Sequence, residues 1–251
     1  MTMLTLAAAQ SVSVAGDLQA NLDRHRRLMQ LAAQQGVQLL VFPELSLTGY
    51  EPQLAADLAL APDSLALQSL RNLARELGLT AVVGMPIRLS ADGPVLVGAL
   101  VLGADGSLAV YSKQHLHAGE ERAFAPGTGG APLSLGGETV ALAVCADFCH
   151  ASHVQSAVDA GAGVYAAGVL ISEGGYATDS ALLQGYARDH GILVMIANHG
   201  GPSGGWACAG RSAVWGTQGE LLGAVEGVGE ALLIARRDAG RWQTEVLAIV
   251  D

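Results

Sequence analysis

Short apolar segments of strand length alternate with segments of helical periodicity along most of this chain, and this alternation limits the possible folds more than any other feature. Apolar runs occur at 4–9, 37–42, 140–144, 164–167 and 192–197, and the first two are each interrupted by one polar residue, Thr5 and Gln38. Apolar residues recur at helical spacing at 17–35, 63–77, 154–160 and 179–190. Runs of the first kind are typical of buried strands, and strands that alternate with helices predict sheet layers covered by helices. We therefore expect an α/β fold.

Glycine and aspartate mark several boundaries of these segments. The first helix is expected to end at Gly36, and the second to begin after an N-cap at Asp63 and to end at Gly78. Asp-Gly turn signals separate three further strand-like runs, at 81–85, 95–102 and 108–112. A loop at 113–132 follows them, and a glycine-rich loop at 199–210 precedes three final strands, at 212–215, 231–235 and 244–250.

Length, charge and cysteine content narrow the functional classes. A chain of 251 residues is long enough for one large core, and we expect residues 1–251 to form a single domain. The formal net charge is −10 and no basic cluster is present, so neither nucleic acid nor a membrane is an expected partner. Residues 1–6 lack the basic start of a signal peptide and are expected to form a first strand, so a cytoplasmic location is expected. The three cysteines, an odd number, do not predict a disulfide framework.

Polar residues of three chemical types come at the ends of predicted buried strands. Glu44, Lys113 and Cys145 each follow such a strand directly or within two residues. The carboxyl ends of parallel strands are where α/β folds place their sites. We therefore expect these side chains to meet in one site.

A carboxylate, an ammonium and a thiol together fit an attack on an amide carbonyl, which is a weak electrophile. A thiol is mostly protonated near neutral pH and needs a neighbouring base or positive charge. Glu44 can take the thiol proton and return it to the leaving amine, while Lys113 holds the oxyanion. The backbone N–H of Ala146 is the expected second oxyanion donor. The sequence thus predicts a cysteine hydrolase with Cys145 as its nucleophile.

Three segments give the chain a resemblance to the carbon–nitrogen hydrolase (nitrilase) superfamily. They are Phe42-Pro43-Glu44-Leu45-Ser46-Leu47-Thr48-Gly49-Tyr50, Tyr111-Ser112-Lys113-Gln114-His115-Leu116 and Val144-Cys145-Ala146-Asp147. Each segment alone is weak, but all three occur in the family's order, and the resemblance extends over nearly the whole chain. It implies a four-layer α-β-β-α sandwich and a homodimer or higher homo-oligomer.

The resemblance also implies roles for individual residues: Glu44 as general base, Lys113 as the group that stabilises the oxyanion, and Cys145 as nucleophile. It implies a second glutamate seven residues before Gly127, which is Glu120, with Glu121 as the alternative. This carboxylate would position the lysine and the substrate. Tyr50 lies on the same loop as the first glutamate and is expected either to line the substrate pocket or to pack in the core.

The residues after the cysteine indicate the substrate class. Cys145-Ala146-Asp147 resembles the amidases of the family more than the nitrilases, which have Cys-Trp-Glu at this point. Carbamoylase-like members have an arginine shortly after the cysteine, and this chain has none there. We expect a small linear carboxamide, cleaved to a carboxylate and ammonia through a thioester, with an N-carbamoyl compound or a nitrile as alternatives. Residues 149–153 replace a Pro-Glu that many members carry, and the segment 172–176 is expected to border the pocket.

Two other functional readings are open. Cys145, Cys149, His150 and His153 could form a tetrahedral zinc site, but the adjacency of Cys149 and His150 opposes it, so we expect no metal and no cofactor. A noncatalytic protein that binds a small molecule on the same fold is the second alternative, and the complete set of carboxylate, ammonium and thiol argues against it.

Several remaining features have structural explanations. Cys149 and Cys208 are expected to be buried thiols, with oxidative pairing as the alternative, and His115 and His117 are expected to be structural histidines. The glycine-rich run at 200–205 lacks the Gly-Lys-Ser/Thr ending of a phosphate-binding loop, and we expect a mobile loop near the pocket.

Overall fold

The computed structural model describes residues 3–249, and these form two β-sheets with helices packed outside them. The strands are β1 (Leu4–Gln10), β2 (Leu39–Val41), β3 (Thr80–Ile87), β4 (Leu96–Leu102), β5 (Leu108–Ser112), β6 (Leu133–Leu135), β7 (Glu138–Val144), β8 (Val164–Val169), β9 (Leu193–Asn198), β10 (Ala213–Trp215), β11 (Leu221–Ala224), β12 (Glu230–Asp238) and β13 (Arg241–Ile249). The α-helices are α1 (Leu18–Gln34), α2 (Ala55–Leu58), α3 (Gln68–Leu77), α4 (Ala151–Asp159) and α5 (Tyr176–His190).

Both sheets mix parallel and antiparallel pairs. The first has the order β13-β12-β1-β2-β3-β4-β5, in which β1, β2 and β3 are parallel and every other neighbouring pair is antiparallel. The second has the order β11-β10-β9-β8-β7-β6, in which β7, β8 and β9 are parallel. Each sheet therefore has a parallel centre extended by hairpins.

Alternation along the strands produces a core on each side of a sheet. In β1, Leu4, Leu6 and Ala8 point into the core between the two sheets, while Ala7 and Ala9 point to the opposite face. That outer face packs against α1 and α3, and the outer face of the second sheet packs against α4 and α5. The layers run helix, sheet, sheet, helix, which confirms the predicted four-layer α-β-β-α sandwich.

Most predicted segments are present, with boundaries shifted by a few residues. The strand predicted at 108–112 and the end of a helix at Gly78 are confirmed, and Gly78 has the left-handed φ of 63°. The predicted N-cap at Asp63 is wrong: Ser64 accepts a hydrogen bond from Ala66 N at 3.4 Å and starts a 3-10 turn that precedes α3.

The prediction of three final strands is also wrong, because β11 pairs with β10 and adds a fourth. The short strand β6 was not predicted either. Both lie at an edge of the second sheet and are only partly buried, so their apolar signal is weak. The end of the last predicted strand, Val250, lies outside the described residues. No helix within residues 3–249 is long and apolar enough to cross a bilayer.

A buried histidine links α1 to the segment that follows β2. His25 Nδ1 lies 2.7 Å from the Asn21 carbonyl oxygen, and its Nε2 lies 2.9 Å from Ser46 Oγ. A carbonyl only accepts, so Nδ1 carries the proton and Nε2 accepts from the serine hydroxyl. Burial lowers the pKa of His25 from 6.5 to about 4, so the ring is neutral in the fold.

We expect His25 to make the fold sensitive to acid. In the unfolded chain His25 is protonated as the pH falls below 6.5, whereas in the folded chain it is protonated only near pH 4. The free energy of unfolding therefore decreases as the pH falls through this window. The loss attributable to this residue is about 3 kcal/mol. Urea denaturation of wild type and His25→Gln across the window tests this, and equal pH slopes for the two proteins contradict it.

Candidate active site

Glu44 is carried by a turn that lies between the two sheets. The turn follows β2 and continues into Leu45, whose φ of 52° is left-handed. A Cβ on Gly84 of β3 would lie 2.4 Å from Leu45 N, and a Cβ on Gly168 of β8 would lie 2.5 Å from Phe42 O. Only glycine permits such a close approach of backbones. One glycine from each sheet therefore makes room for the turn.

His199, which follows β9, holds the same turn. Its side chain is buried and Nε2 lies 2.7 Å from the carbonyl oxygen of Glu44, so Nε2 carries the proton and donates. Burial lowers the pKa of His199 to about 4. The ring is therefore a neutral donor that fixes the backbone of Glu44.

Lys113 is the buried centre of the site. It follows β5, and its Nζ donates to Glu44 Oε1 at 2.6 Å and lies 2.8 Å from the carboxylate of Glu120. These three residues are exposed by 3% or less. Glu120 also accepts from the Tyr50 hydroxyl and from His117 N, both at 2.7 Å. One ammonium thus joins two carboxylates out of contact with solvent.

Cys145 is the first residue after β7 and opens a 3-10 turn, Cys145–Cys149. Its φ of 43° is left-handed, a conformation that strains any residue with a side chain. The residue is half-buried, and Sγ lies 3.5 Å from Leu170 O. The backbone strain therefore falls on the candidate nucleophile itself.

Burial and charge set the protonation of the cluster. Burial raises the pKa of Glu44, with Lys113 opposing the shift and Glu120 adding to it. Burial and the charge of Glu44 raise the pKa of Cys145 well above its ordinary value. Burial disfavours the ammonium of Lys113, but the negative groups around it, Glu44 first, raise its pKa overall. At neutral pH a protonated thiol thus lies beside a charged lysine.

Asp147 connects the Lys113 segment to the Cys145 turn. Its side chain is fully buried. Its two oxygens accept hydrogen bonds from the backbone N–H groups of Gln114 (3.0 Å), His115 (2.9 Å) and Val144 (3.1 Å) and from the hydroxyl of Tyr111 (2.7 Å). One carboxylate therefore fixes the residues next to both candidate catalytic groups.

A cavity of about 360 Å³ opens on this cluster. Among the residues that line it are Glu44, Tyr50, Glu120, Cys145, Ala146 and Phe148. Its volume fits a small molecule. A second cavity, of about 310 Å³, is lined by Tyr111 and His153 and contains neither the thiol nor the Glu44 carboxylate.

The structure brings the predicted site residues together. Glu44, Lys113 and Glu120 are in direct contact, and Cys145 shares their cavity with Tyr50 and Ala146. Glu121, the alternative to Glu120, is exposed, and its carboxylate accepts from Gly119 N at 2.7 Å within its own loop. Of the two glutamates, Glu120 is the one that contacts the lysine.

Predictions for the remaining cysteines and histidines are partly wrong. Cys208 is buried as expected, but Cys149 is exposed, and both thiols are free. His115 Nδ1 lies 3.1 Å from Asp147 Oδ1, which fits a structural histidine. His117 is exposed and lines the cavity, so its expected structural role is not supported.

Two predicted loops lie where they were expected. Ser172 and Gly175 line the cavity, so the segment 172–176 borders it. The glycine-rich loop lies beside the cavity as well: Ser203 Oγ accepts from Tyr50 N at 2.8 Å, and Trp206 is part of the lining.

The alternative zinc site finds no support in the geometry. Within residues 3–249 no group of three His, Cys, Asp or Glu side chains is arranged to hold a metal ion. The ring nitrogens of His153 lie 2.7 Å from the Tyr111 hydroxyl and 2.9 Å from the Tyr165 hydroxyl, so both are already used.

Sequence reasoning gave no role to Asp147, His199 or Gly84. The first was visible as a polar residue two positions after the cysteine, within the third quoted segment. The other two act through contacts between distant parts of the chain, and no spacing along the sequence reveals such contacts.

Comparison with known proteins extends over most of the chain. A family model described as carbon–nitrogen hydrolase matches residues 5–244. The chain is 27% identical over 235 residues to the glutamine-dependent NAD(+) synthetase of Thermotoga maritima, which covers 88% of this chain and 40% of the synthetase. It is 27% identical over 226 residues to a nitrilase of Pyrococcus abyssi, which covers 87% of this chain and 83% of the nitrilase. The chain thus spans less than half the length of the synthetase.

Solved structures of an amidase from Nesterenkonia sp. AN1, a member of the nitrilase superfamily, are also similar. A variant of that amidase in complex with butyramide has a TM-score of 0.84 and 32% identity, and the match covers 94% of this chain and 92% of that chain. A second variant, in which acrylamide has added to the active-site cysteine, has a TM-score of 0.82 and 32% identity, with 92% of each chain covered.

Asp147→Asn should destabilise the fold. In the wild type both side-chain oxygens of Asp147 accept hydrogen bonds from N–H and O–H donors. The variant replaces one oxygen by an NH₂ group, which cannot accept, so buried donors lose their partner. We expect a loss of about 2–4 kcal/mol in the free energy of unfolding, measured by urea denaturation. Asp105→Asn, at an exposed turn, is the matched control with a change below about 0.5 kcal/mol. Equal stability of the two variants contradicts the bridging role.

Proposed function

This chain belongs to the carbon–nitrogen hydrolase family, and we propose that it is an amidase that converts a small linear carboxamide to a carboxylate and ammonia. The observation that carries the proposal is the buried contact of Lys113 with Glu44 and Glu120, two carboxylates that line one cavity together with Cys145. A base, a cation and a thiol around one cavity are the groups that this hydrolysis needs.

In the first half-reaction, Cys145 Sγ bonds to the carbonyl carbon while Glu44 takes the thiol proton. The thiol is protonated before the attack because its pKa is raised, so proton transfer accompanies bond formation. Lys113 and the N–H of Ala146 donate to the oxyanion. Glu44 then gives its proton to the nitrogen, the C–N bond breaks, and ammonia leaves a thioester on the cysteine.

In the second half-reaction, water replaces the amine. Glu44 removes a proton from water as its oxygen bonds to the thioester carbonyl carbon. The C–S bond then breaks, and the sulfur of Cys145 recovers the proton from Glu44. The acid product ionises and leaves, and the cluster returns to its first protonation state. The raised pKa of Glu44 suits a carboxylate that must hold a proton between steps.

Glu120 and Tyr50 serve as positioning residues in this proposal. Glu120 holds Lys113 at 2.8 Å and is itself held by the Tyr50 hydroxyl at 2.7 Å. A lysine with no exposed surface keeps its charge only beside carboxylates. The second carboxylate therefore keeps the ammonium charged while the first exchanges protons.

The similar structures support a small aliphatic amide as substrate, because one holds butyramide and others hold cysteine adducts formed from acrylamide and from fluoroacetamide. A cavity of about 360 Å³ suits molecules of this size. The nitrilase and the glutamine-dependent relative make a nitrile and glutamine necessary comparisons in any assay. The expected homodimer or higher homo-oligomer and the cytoplasmic location stay predictions.

The test is release of ammonia from butyramide, glutamine and butyronitrile. We expect release from the simple amide, and a thioester adduct on Cys145 detectable by mass spectrometry of quenched enzyme. Cys145→Ala should abolish both, because no other group replaces the nucleophile. Glu44→Gln should lower the rate by about 100-fold or more, since it removes the base.

Cys208→Ala is the matched control, because it removes a buried thiol that does not line the cavity. It should retain the wild-type rate. Turnover by Cys145→Ala on an amide that the wild type cleaves contradicts the mechanism. Binding of amides by the wild type without release of ammonia supports instead the noncatalytic alternative.

Gly84→Ala tests the position of Glu44. A Cβ at this site would lie 2.4 Å from Leu45 N, so the turn must move. Because displacements of about 1 Å at a catalytic group cost on the order of 100-fold in rate, we expect kcat to fall by about that factor. Gly227→Ala, where a Cβ meets nothing within 4 Å, is the control with unchanged kcat. Equal kcat values in both variants and wild type contradict the close-contact argument.

A further inference from the structure

The candidate cavity has an excess of negative charge. Its described lining includes no arginine or lysine, and the adjacent Lys113 is the cation that faces both Glu44 and Glu120. A further carboxylate, Asp179 in the first turn of α5, lines the same cavity. A substrate carboxylate placed here would meet like charge, whereas a cationic group would meet opposite charge.

The carboxylate of Asp179 makes no hydrogen bond or ion pair with any residue in the described range, although the residue is half-buried. Burial raises its pKa, and His117, which also lines the cavity, opposes the shift. The N-terminus of α5 tolerates a negative charge, but that interaction leaves the carboxylate oxygens without a donor. An ammonium group in the cavity would supply one.

Asp179 belongs to α5, in the helical layer outside the second sheet, whereas Glu44 and Cys145 follow strands of the two central sheets. All three residues line the same cavity. Because the carboxylate of Asp179 enters the cavity from a different layer, it can contact a part of the substrate other than the reacting carbonyl.

An aromatic ring contributes to the same cavity. Trp206 lines it and is 48% exposed, although most large apolar side chains of the chain are buried. Its loop is anchored by backbone hydrogen bonds between Ser203 and Trp206 and by the contact of Ser203 with Tyr50. The face of an indole ring attracts cations, so the ring and the carboxylate favour the same kind of ligand.

We infer that the substrate is an amide with a cationic amino group at the end remote from the carbonyl, and that Asp179 binds this group. The inference rests on the proposed amidase function and assigns its substrate class. Asp179 acts on binding of the substrate and takes no part in the proton transfers.

Amides that differ only in their remote group test this assignment. Butyramide is neutral, 4-aminobutyramide is cationic, and succinamate is anionic, and the five- and six-carbon homologues cover other lengths. Wild type should prefer the cationic over the neutral amide by about fivefold in kcat/KM at the best length, as expected for a half-exposed ion pair. The anionic amide should be the poorest substrate.

Asp179→Asn should remove the preference, so that the ratio of kcat/KM for the cationic amide to kcat/KM for the neutral amide falls to about 1. Asp189→Asn is the matched control, because Asp189 lies on the same helix, is exposed and pairs with Arg188. It makes the same change in net charge and should keep the preference. Equal preference in Asp179→Asn and Asp189→Asn overturns the inference.

Calorimetry with the Cys145→Ala variant separates this inference from the proposed function. Tighter binding of the cationic amide, lost on adding Asp179→Asn, supports the recognition role even if the wild type releases no ammonia, in which case the amidase proposal fails. Hydrolysis of butyramide with no cationic preference at any length overturns the recognition role and leaves the amidase proposal intact.

Discussion

The charge balance around the buried ammonium of Lys113 is the constraint on which the rest of the site depends. A charged lysine with no exposed surface is tolerated only with carboxylates at hydrogen-bond distance, and Glu44 at 2.6 Å and Glu120 at 2.8 Å supply them. Two carboxylates against one ammonium leave an excess negative charge, which contributes to the raised pKa of Glu44 and of Cys145. The ion network that makes the lysine tolerable in the interior therefore also sets the protonation states from which the proposed reaction starts.

Packing between the two sheets decides the distances within this network. Glu44 and Lys113 follow strands of the first sheet, whereas Cys145 follows a strand of the second. Gly84 and Gly168, one from each sheet, receive the turn that carries the glutamate, so a small change in sheet spacing would move the base relative to the thiol. The layered core and the site are thus parts of one packing arrangement.

The sequence predicted sheets covered by helices because continuous apolar runs such as 140–144 are typical of buried strands and alternate with segments of helical periodicity. It also predicted that Glu44, Lys113 and Cys145 would lie close together, since each stands at a strand end. The reason given, that parallel strands gather their ends, applies to β2 and β7 but not to β5, which pairs antiparallel with β4. The contacts of Asp147, Gly84 and Gly168 join segments far apart in the chain, so no local sequence pattern predicts them. The exposure of Cys149 depends on the path of a turn that the sequence does not specify.

Two thiols line one cavity, and their surroundings explain why the proposed chemistry belongs to one of them. Cys149 is the more exposed, whereas the carboxylate of Glu44 interacts directly with the thiol of Cys145. In the proposed mechanism Glu44 is the base for Cys145, and because the pKa of this thiol is raised, its proton moves only when a carbonyl carbon can accept the sulfur electrons. An activated thiolate would react with any electrophile that entered, whereas a protonated thiol beside a poised carboxylate reacts with a substrate whose oxyanion Lys113 can stabilise. Nucleophilicity in the proposed mechanism is therefore a property of the complex with substrate rather than of the resting cysteine.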